Sequence, residues 1–428
     1  MTTLLGVLFG GIFMGIPVGY SVAISGMAYL FFESTVPLLV VAQRMVVGVD
    51  SFTLLAIPLF VLAGALMAEG DITPRLMKFA STMVGHIPGG LAMVMVVSCM
   101  LFGAISGSGV ANVVAIGSIL LPSMKEQGYE APFSAALLGC GGSLGTVIPP
   151  SITLVIIGVS MGASIGKLFI GGFIPGIIAG VGLMTVSYFV ALKRNYPRLE
   201  RASWGEKWSA LKQAFFPLMT PVIIIGGILG GVFTATEAGA VASLYALILS
   251  KYVYKKLSWR RFFDVCLDTA RTSATVLFLI GSAALFGWIL SAEDIPQKVA
   301  TAMFSVSTNY WVLLILFNIL LLILGMFMET IAIVLIIMPI FAPVMQQMGM
   351  DPIHLGVMVC VNLAIGANTP PLGVDLMAAC KLADIPYSSS FRPLMPLLGA
   401  MIFALALITF FPPLVTFLPN LIMGGSGG

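Results

Sequence analysis

The sequence predicts an all-α, polytopic membrane protein made of two related structural repeats with discontinuous helices. Three observations predict it: charge is scarce, long uncharged stretches recur, and glycines and prolines echo one another at a single offset.

Composition sets the solvent. Of 428 residues 59% are apolar and 9% charged, whereas a soluble domain carries roughly 25% charged residues. So little charge cannot cover a water-facing surface. Uncharged runs of the length needed to cross a bilayer core, about 20 residues for about 30 Å, recur along the chain. A net charge of +3 gives no argument for nucleic acid. The opening MTTLLGVLFGGIFMGIPVG lacks a basic leader and a small-residue cleavage site, so it is expected to remain as a first span. Residues 424–428, a glycine-serine run, read as a flexible linker. Cys99, Cys140, Cys266, Cys360 and Cys380 have no CxxC spacing and are expected to be packed thiols, not disulfides or zinc ligands.

Basic residues mark one side of the membrane. Lys193, Arg194, Arg198, Arg201, Lys207 and Lys212 lie in one segment and Lys251, Lys255, Lys256, Arg260, Arg261 and Arg271 in another. Twelve of the twenty basic residues therefore fall in two places, both expected to be cytoplasmic. Trp204 and Trp208 suit the interface beside the first. The stretch between them must then cross an even number of times, and 215–250 accommodates two spans of about 17 residues. Their junction is GGVFTATEAG, with Glu237 expected at a turn or helix cap. Residues 36–50, apolar apart from Arg44 until the closing Asp50, are short for a span and suit an amphipathic interfacial helix.

A shift of 221 residues superposes Pro122 on Pro343, Gly128 on Gly349, Gly145 on Gly366, Pro149 on Pro370, Pro150 on Pro371 and Pro175 on Pro396. With small indels, AEGDITP near Asp71 matches SAEDIP near Asp294. Backbone-special residues in one register argue for duplicated architecture. Each half also interrupts two long apolar segments near their centres: GAISGSGVAN and GCGGSLGTVIPPS in the first, LGMFMET and LAIGANTPPLG in the second.

Such breaks carry chemistry. Unsatisfied backbone groups in hydrocarbon cost several kcal/mol each, so broken helices persist only when buried in protein or facing water. Neither proline of a tandem pair donates an amide proton, and each disfavours helix at the residue before it. Carbonyls upstream of Pro149 and Pro370 are therefore expected to be free for a hard cation. Ser106, Ser108, Asn112, Thr146, Ser151, Asn368 and Thr369 add hydroxyl and amide oxygens, and half-helix N-termini beside them favour an anionic group. Glu329 and Asp375 flank the second-half breaks, and ionisable groups in spans are functional candidates. His86 and His354, the two histidines, sit beside segment ends and support neither a relay nor a metal site.

These motifs resemble the large membrane subunit of tripartite ATP-independent periplasmic (TRAP) transporters, of the sialic-acid or dicarboxylate type. The similarity covers nearly the whole chain and is carried by residues 57–73, 105–129, 148–152, 230–248, 325–344 and 362–373. It implies inverted repeats with re-entrant helical hairpins, an elevator-type transport domain and a scaffold. Scaffold helices and the interfacial helix would occupy 1–50; the first repeat 51–192, with a hairpin at about 88–124 and a broken helix at about 131–166. The basic segments and central scaffold pair would occupy 193–272, and the second repeat 273–423, with a hairpin at about 311–350 and a broken helix at about 353–380.

The resemblance further implies Na⁺-coupled uptake of a small organic anion, a carboxylate or sulfonate, across the bacterial inner membrane, without enzymatic chemistry. Its implied partners are a small four-helix membrane subunit, a periplasmic substrate-binding protein and membrane lipid. Carried over by motif, one Na⁺ site falls at Gly103, Ser106, Gly145, Ile148 and Pro149, and a second at Gly325, Gly366, Thr369 and Leu372. Substrate contacts are expected among Ser108, Asn112, Thr146, Ser151, Asn368 and Asp375. The chain departs from the family in having Gly103 where related chains can carry serine, and Asn112 where aspartate is common. A stand-alone Na⁺- or H⁺-coupled carboxylate symporter shares the broken-helix logic and stays open, as does a passive channel. An intramembrane enzyme is disfavoured, since HExxH, GxGD and a plausibly placed GxSxG are lacking.

Overall fold

The computed structural model describes residues 2–307 and 309–424, which form helices and turns with no strand among them. Of the expected linker, residues 425–428 lie outside the described residues. The chain opens with α1 (Thr2–Phe13), α2 (Val18–Phe32) and α3 (Leu39–Val49). There follow α4 (Ala56–Glu69), α5 (Ile72–Val84), α6 (Gly90–Ser106), α7 (Gly109–Glu126), α8 (Ala131–Val147), α9 (Ile152–Met161) and α10 (Ile165–Arg194). The central pair is α11 (Trp204–Leu229) and α12 (Ala235–Ile248). Then come α13 (Trp259–Ala292), α14 (Ile295–Val306), α15 (Tyr310–Gly325), α16 (Thr330–Gln347), α17 (Pro352–Gly366), α18 (Val374–Leu382), α19 (Phe391–Phe410) and α20 (Pro413–Met423).

Six helical stretches among the described residues are long and apolar enough to cross a bilayer, and α8 with α9 passes the same test as a pair bent by 44°. The polytopic, all-helical class predicted from composition is thus what the chain adopts. The central pair is unequal, not two spans of about 17 residues: α11 has 26 residues and α12 has 14. Both begin at capping boxes, Ser203 with Glu206 and Thr234 with Glu237, in which hydroxyl and carboxylate satisfy amides of the first turn. The first box lies inside the basic segment, which draws α11 back to Trp204. Likewise α13 starts in the second basic segment and runs 34 residues without a break. Trp204 and Trp208 are exposed, each under a lysine, Lys207 and Lys212. On α3, Val41 is the buried residue, and the Arg44 guanidinium lies 4.8 Å from the Trp288 ring centre.

The turns of the two halves agree in detail. Asp71 and Asp294, matched in the sequence, are both left-handed (φ 61° and 55°) and both precede a helix, α5 and α14. The core is formed around α8 and α17, which pack on each other and bury nearly every residue, as helices apolar on all sides do. The five cysteines are free. His354 is buried at the start of α17, its Nε2 2.8 Å from Ile408 O, a packing role in keeping with its position beside a segment end.

A hydroxyl seam fixes α12 and the turn after it on α4 and the turn before that helix. Thr236, Ser243 and Ser250, seven residues apart, donate to the carbonyls of Phe52, Leu59 and Leu66 at 2.9, 2.6 and 2.8 Å. One such bond in a membrane is worth about 0.6 kcal/mol, so Ser243→Ala is expected to change stability little. Ser243→Leu also inserts a large side chain into the seam, and a loss of about 2 kcal/mol is expected, read as a lower Tm in detergent. Equal Tm values for the two variants would remove the seam as a packing constraint.

Candidate functional site

Each half places a helix-to-helix hairpin tip against a broken helix. In the first, α6 ends at Ser106, Gly107 turns left-handed (φ 63°), and extended Ser108 caps α7 by accepting from Ala111 N. A Cβ at Gly107 would lie 2.7 Å from Pro150 O, so both conformation and space require glycine here. Opposite it, α8 stops at Val147, Ile148 is extended, Pro149-Pro150 is cis, and Ser151 caps α9. Ile152 N donates to Gly107 O at 3.2 Å, tying the segment after the prolines to the tip.

The second half repeats the join. Between α15 and α16 the tip is formed by residues 326–329. Opposite it α17 stops at Gly366, Pro370-Pro371 is cis, and left-handed Gly373 (φ 52°) precedes α18. Leu372 N donates to Met326 O at 3.1 Å, the counterpart of the Ile152–Gly107 bond. Tyr387 Oη donates to Leu372 O at 3.0 Å, so the loop before α19 holds the segment from behind.

Below each tip the two helices meet backbone to backbone. A Cβ on Gly103 would stand 2.7 Å from Gly145 Cα, and one on Gly325 would stand 2.8 Å from Gly366 Cα. Gly103 therefore offers its backbone alone, with no room for a hydroxyl-bearing side chain in this packing.

The two tips and the two breaks converge on one cavity. The first tip contributes Gly107, Ser108, Gly109 and Val110, and its break Thr146, Ile152 and Thr153. The second tip contributes Met328, Glu329, Thr330 and Ile331, and its break Ala367, Val374 and Asp375. Asp375 is 3% exposed, and its Oδ2 lies 2.5 Å from where a Cβ of Gly109 would stand, at the start of α7. That oxygen has no hydrogen-bond partner. Glu329 caps α16 without a side-chain bond and is exposed at the cavity.

Of the residues expected at the substrate, Ser108, Thr146 and Asp375 line this cavity, whereas Asn112, Ser151 and Asn368 do not. Asn112 is fully buried, its Nδ2 bridging Cys99 O at 2.9 Å and Gly142 O at 3.0 Å. Ser151 Oγ donates to Thr146 O, and Asn368 Nδ2 donates to Ala364 O at 3.0 Å. The donors of all three brace nearby backbone, while Asn112 Oδ1 and Asn368 Oδ1 stay buried without a partner. Thr153 and Thr330 were missed: each lies in a first helical turn after a break, a position that the motif edges IPPS and MET mark in the sequence.

Of the residues expected at Na⁺, Gly103, Ser106, Gly145, Ile148 and Pro149 are buried around the first Gly–Gly crossing and break. Ser106 Oγ is buried with no partner, an oxygen that suits a hard cation. Gly325 and Gly366 are buried at the second crossing, Thr369 is half-buried, and Leu372 is 38% exposed. The upstream carbonyls are less free than tandem proline suggests. Thr146 O accepts from Ser151 Oγ and from Cys360 Sγ at 3.0 Å. The Ile365 carbonyl accepts from Thr369 Oγ1 at 2.9 Å and from Asn368 N at 3.0 Å, while Gly366 and Ala367 O accept from Thr369 N and Asp375 N, both at 2.9 Å. The Gly366 and Ala367 carbonyls each keep a second lone pair for a cation. No cluster of His, Cys, Asp and Glu able to hold a metal ion occurs among the described residues.

Comparison with known proteins shows the family. The family model described as tripartite ATP-independent periplasmic transporter, DctM component, matches residues 5–414. A sialic acid TRAP transporter large permease protein of Vibrio cholerae is 42% identical over 415 residues, 97% of each chain. A C4-dicarboxylate TRAP transporter large permease protein of Rhodobacter capsulatus is 38% identical over 431 residues, 97% of this chain and 98% of that one. An isethionate TRAP transporter permease protein of Oleidesulfovibrio alaskensis is 40% identical over 424 residues, 96% of this chain and 66% of that one. Among solved structures, the YdaH transporter of Alcanivorax borkumensis superposes with a TM-score of 0.62 over 90% of each chain at 15% identity, a likeness of fold.

Proposed function

Because this chain belongs to the tripartite ATP-independent periplasmic transporter family as its DctM component, the large membrane subunit, we propose that it carries a small organic anion across the bacterial inner membrane by Na⁺-coupled secondary transport. The observation that carries this reading is the single cavity on which both hairpin tips and both breaks converge. The starts of α7, α9, α16 and α18 line it, and the positive ends of these helices favour the anionic group of a substrate. The substrate range of the relatives, sialic acid, C4-dicarboxylate and isethionate, supports an organic acid.

Two Na⁺ ions travel with the substrate in this reading. Ser106 Oγ and the carbonyls at the Gly103–Gly145 crossing would hold one; carbonyls at Gly325 and Gly366 with the Thr369 hydroxyl would hold the other. Each ion offsets negative charge beside the cavity, so substrate and cation favour each other's binding. The two halves are inverted repeats, a relation supported by the matched Gly–Gly crossings and tip bonds. The body bearing the cavity moves as an elevator against a scaffold. The cleft lined by Gly48, Ala283 and Ala284 on one side and Ile156, Leu335 and Pro339 on the other supports that sliding surface, since small residues let helices pass closely. A tripartite system supplies the remaining partners, a small membrane subunit and a periplasmic binding protein.

Reconstitution tests the reading. Uptake of labelled sialic acid, succinate or isethionate into liposomes is expected only with an inward Na⁺ gradient and with both partners present. Uptake by the chain alone would favour a stand-alone symporter, and flux without the gradient a channel. Ser106→Ala and Thr369→Ala are each expected to raise the Na⁺ concentration for half-maximal transport about 3- to 10-fold, the worth of one oxygen ligand at roughly 1 kcal/mol. Unchanged Na⁺ dependence in both would remove these two sites.

A further inference from the structure

The cleft between the proposed scaffold and moving body has a volume of about 160 Å³. Its floor is Leu54, Ile156 and Ala283, all buried, and its rim is Gly48, Ser160 and Pro339, all half-buried. Ser160 is the one polar side chain on it, and no charged residue lines it among the described residues. An apolar cavity of about 150 Å³ excludes water and takes a ligand of about six carbons. Left empty, its walls forfeit dispersion contacts. The solvent at the rim is lipid, so hydrocarbon is what can fill it.

Hydrocarbon alone gains little by leaving a bilayer for such a cleft, so a particular lipid must be held by its headgroup. Arg44 supplies that hold. It lies one turn before Gly48 on α3, and Trp288 lies one turn after Ala284 on α13. Gly48 packs on Ala284 with no room for a side chain, so the rim continues along this helix pair from the cleft to Arg44. The Arg44 guanidinium is exposed, rests 4.8 Å from the Trp288 ring centre and makes no ion pair among the described residues.

The positive-inside rule puts the basic start of α13 at the cytoplasmic face, and its 34 residues span about 50 Å. Trp288, one turn from its end, thus stands at headgroup depth on the opposite face. Arginine pairs with phosphate through two parallel N–H donors. No acidic side chain pairs with Arg44 and could receive the ammonium of a zwitterionic headgroup, so a net negative one fits better. We infer that Arg44 and the cleft form one site for an anionic phospholipid of the outer leaflet. Its phosphate lies on Arg44, and part of one acyl chain lies between α3 and α13 on one side and α9 and α16 on the other. In the elevator reading proposed above, on which this consequence rests, that chain is a wedge that must leave before the two bodies slide.

Photolabelling of the full chain in vesicles tests this, with phosphatidylglycerol and phosphatidylcholine carrying the same photoreactive acyl chain. Phosphatidylglycerol is expected to label α9, the cleft's inner wall, at least about fivefold more than phosphatidylcholine does. Arg44→Gln, a change at an exposed side chain, is expected to bring the two lipids within about twofold of each other. Ala283→Leu, which fills the cleft, is expected to cut labelling of α9 by both lipids about threefold or more. Equal labelling of the wild-type chain by the two lipids would overturn the inference, and so would a preference that persists unchanged in Arg44→Gln. Loss of the label on adding the small membrane subunit would overturn it too, by giving the cleft to that subunit. Labelling does not depend on transport, so the site stands or falls apart from the function proposed above. In vesicles that show uptake, Arg44→Gln is expected to raise its rate about threefold with phosphatidylglycerol present, and an unchanged rate would remove the wedge.

Discussion

Gly366→Val is expected to abolish transport and to lower the stability of the carrier by more than about 3 kcal/mol, with Gly325→Val matching it. A Cβ on Gly366 would lie 2.7 Å from Gly325 Cα and 3.1 Å from its carbonyl carbon, and these atoms are backbone. Nothing flexible can give way, so α15 and α17 must part by about an ångström to reach ordinary contact distances near 3.5–4 Å. The Leu372 N bond to Met326 O lies just beyond this crossing, and so does the second half's share of the cavity. Separation would therefore misplace Glu329 and Asp375 relative to the first tip. The measurement is Tm and size-exclusion behaviour in detergent beside uptake in liposomes. A monodisperse, wild-type-stable Gly366→Val that still transports would show the crossing to be incidental.

How much of this was legible differs by level. Lipid as solvent follows from composition, because the shortage of charge is a property of the whole chain and needs no geometry. The chain stops being helical at Ile148 and at Ala367, next to Pro149-Pro150 and Pro370-Pro371, because proline acts on its own neighbourhood. Glu237 was legible as a cap for the same local reason, a Thr-x-x-Glu box. Contacts between distant segments were not. Asn112, Ser151 and Asn368 read as ligands, and each has its donor taken by a nearby or facing carbonyl, while Asn112 Oδ1 and Asn368 Oδ1 stay buried without a partner; sequence shows the supply of polar groups without showing their demand. The carbonyls before the prolines were expected to be free on helix geometry alone; tertiary neighbours such as Cys360, 214 positions away from Thr146, occupy part of their capacity. Likewise, that Thr153 and Thr330 face one cavity depends on two tips meeting, and no periodicity encodes that.

Asn112→Ala separates a bracing role from a ligand role. If Asn112 touched substrate, its loss would change which acids are carried while leaving the fold intact. Its Nδ2 instead spans Cys99 O on α6 and Gly142 O on α8, and Cβ atoms placed on Gly103 or Gly145 would come within 3.2 and 3.0 Å of it. It thus sits over the first Gly–Gly crossing and holds the two helices at the separation that crossing needs. Removing it loses two interhelical bonds, at about 0.6 kcal/mol each in a membrane. It also leaves a void the size of a carboxamide in a packed core, for a total of about 2–3 kcal/mol. The expected result is a lower Tm and weaker Na⁺ activation, because Ser106 and the Gly103 and Gly145 backbones shift with the helices, while the ranking of competing acids stays as in the wild type. A changed ranking at unchanged Tm would return Asn112 to the substrate.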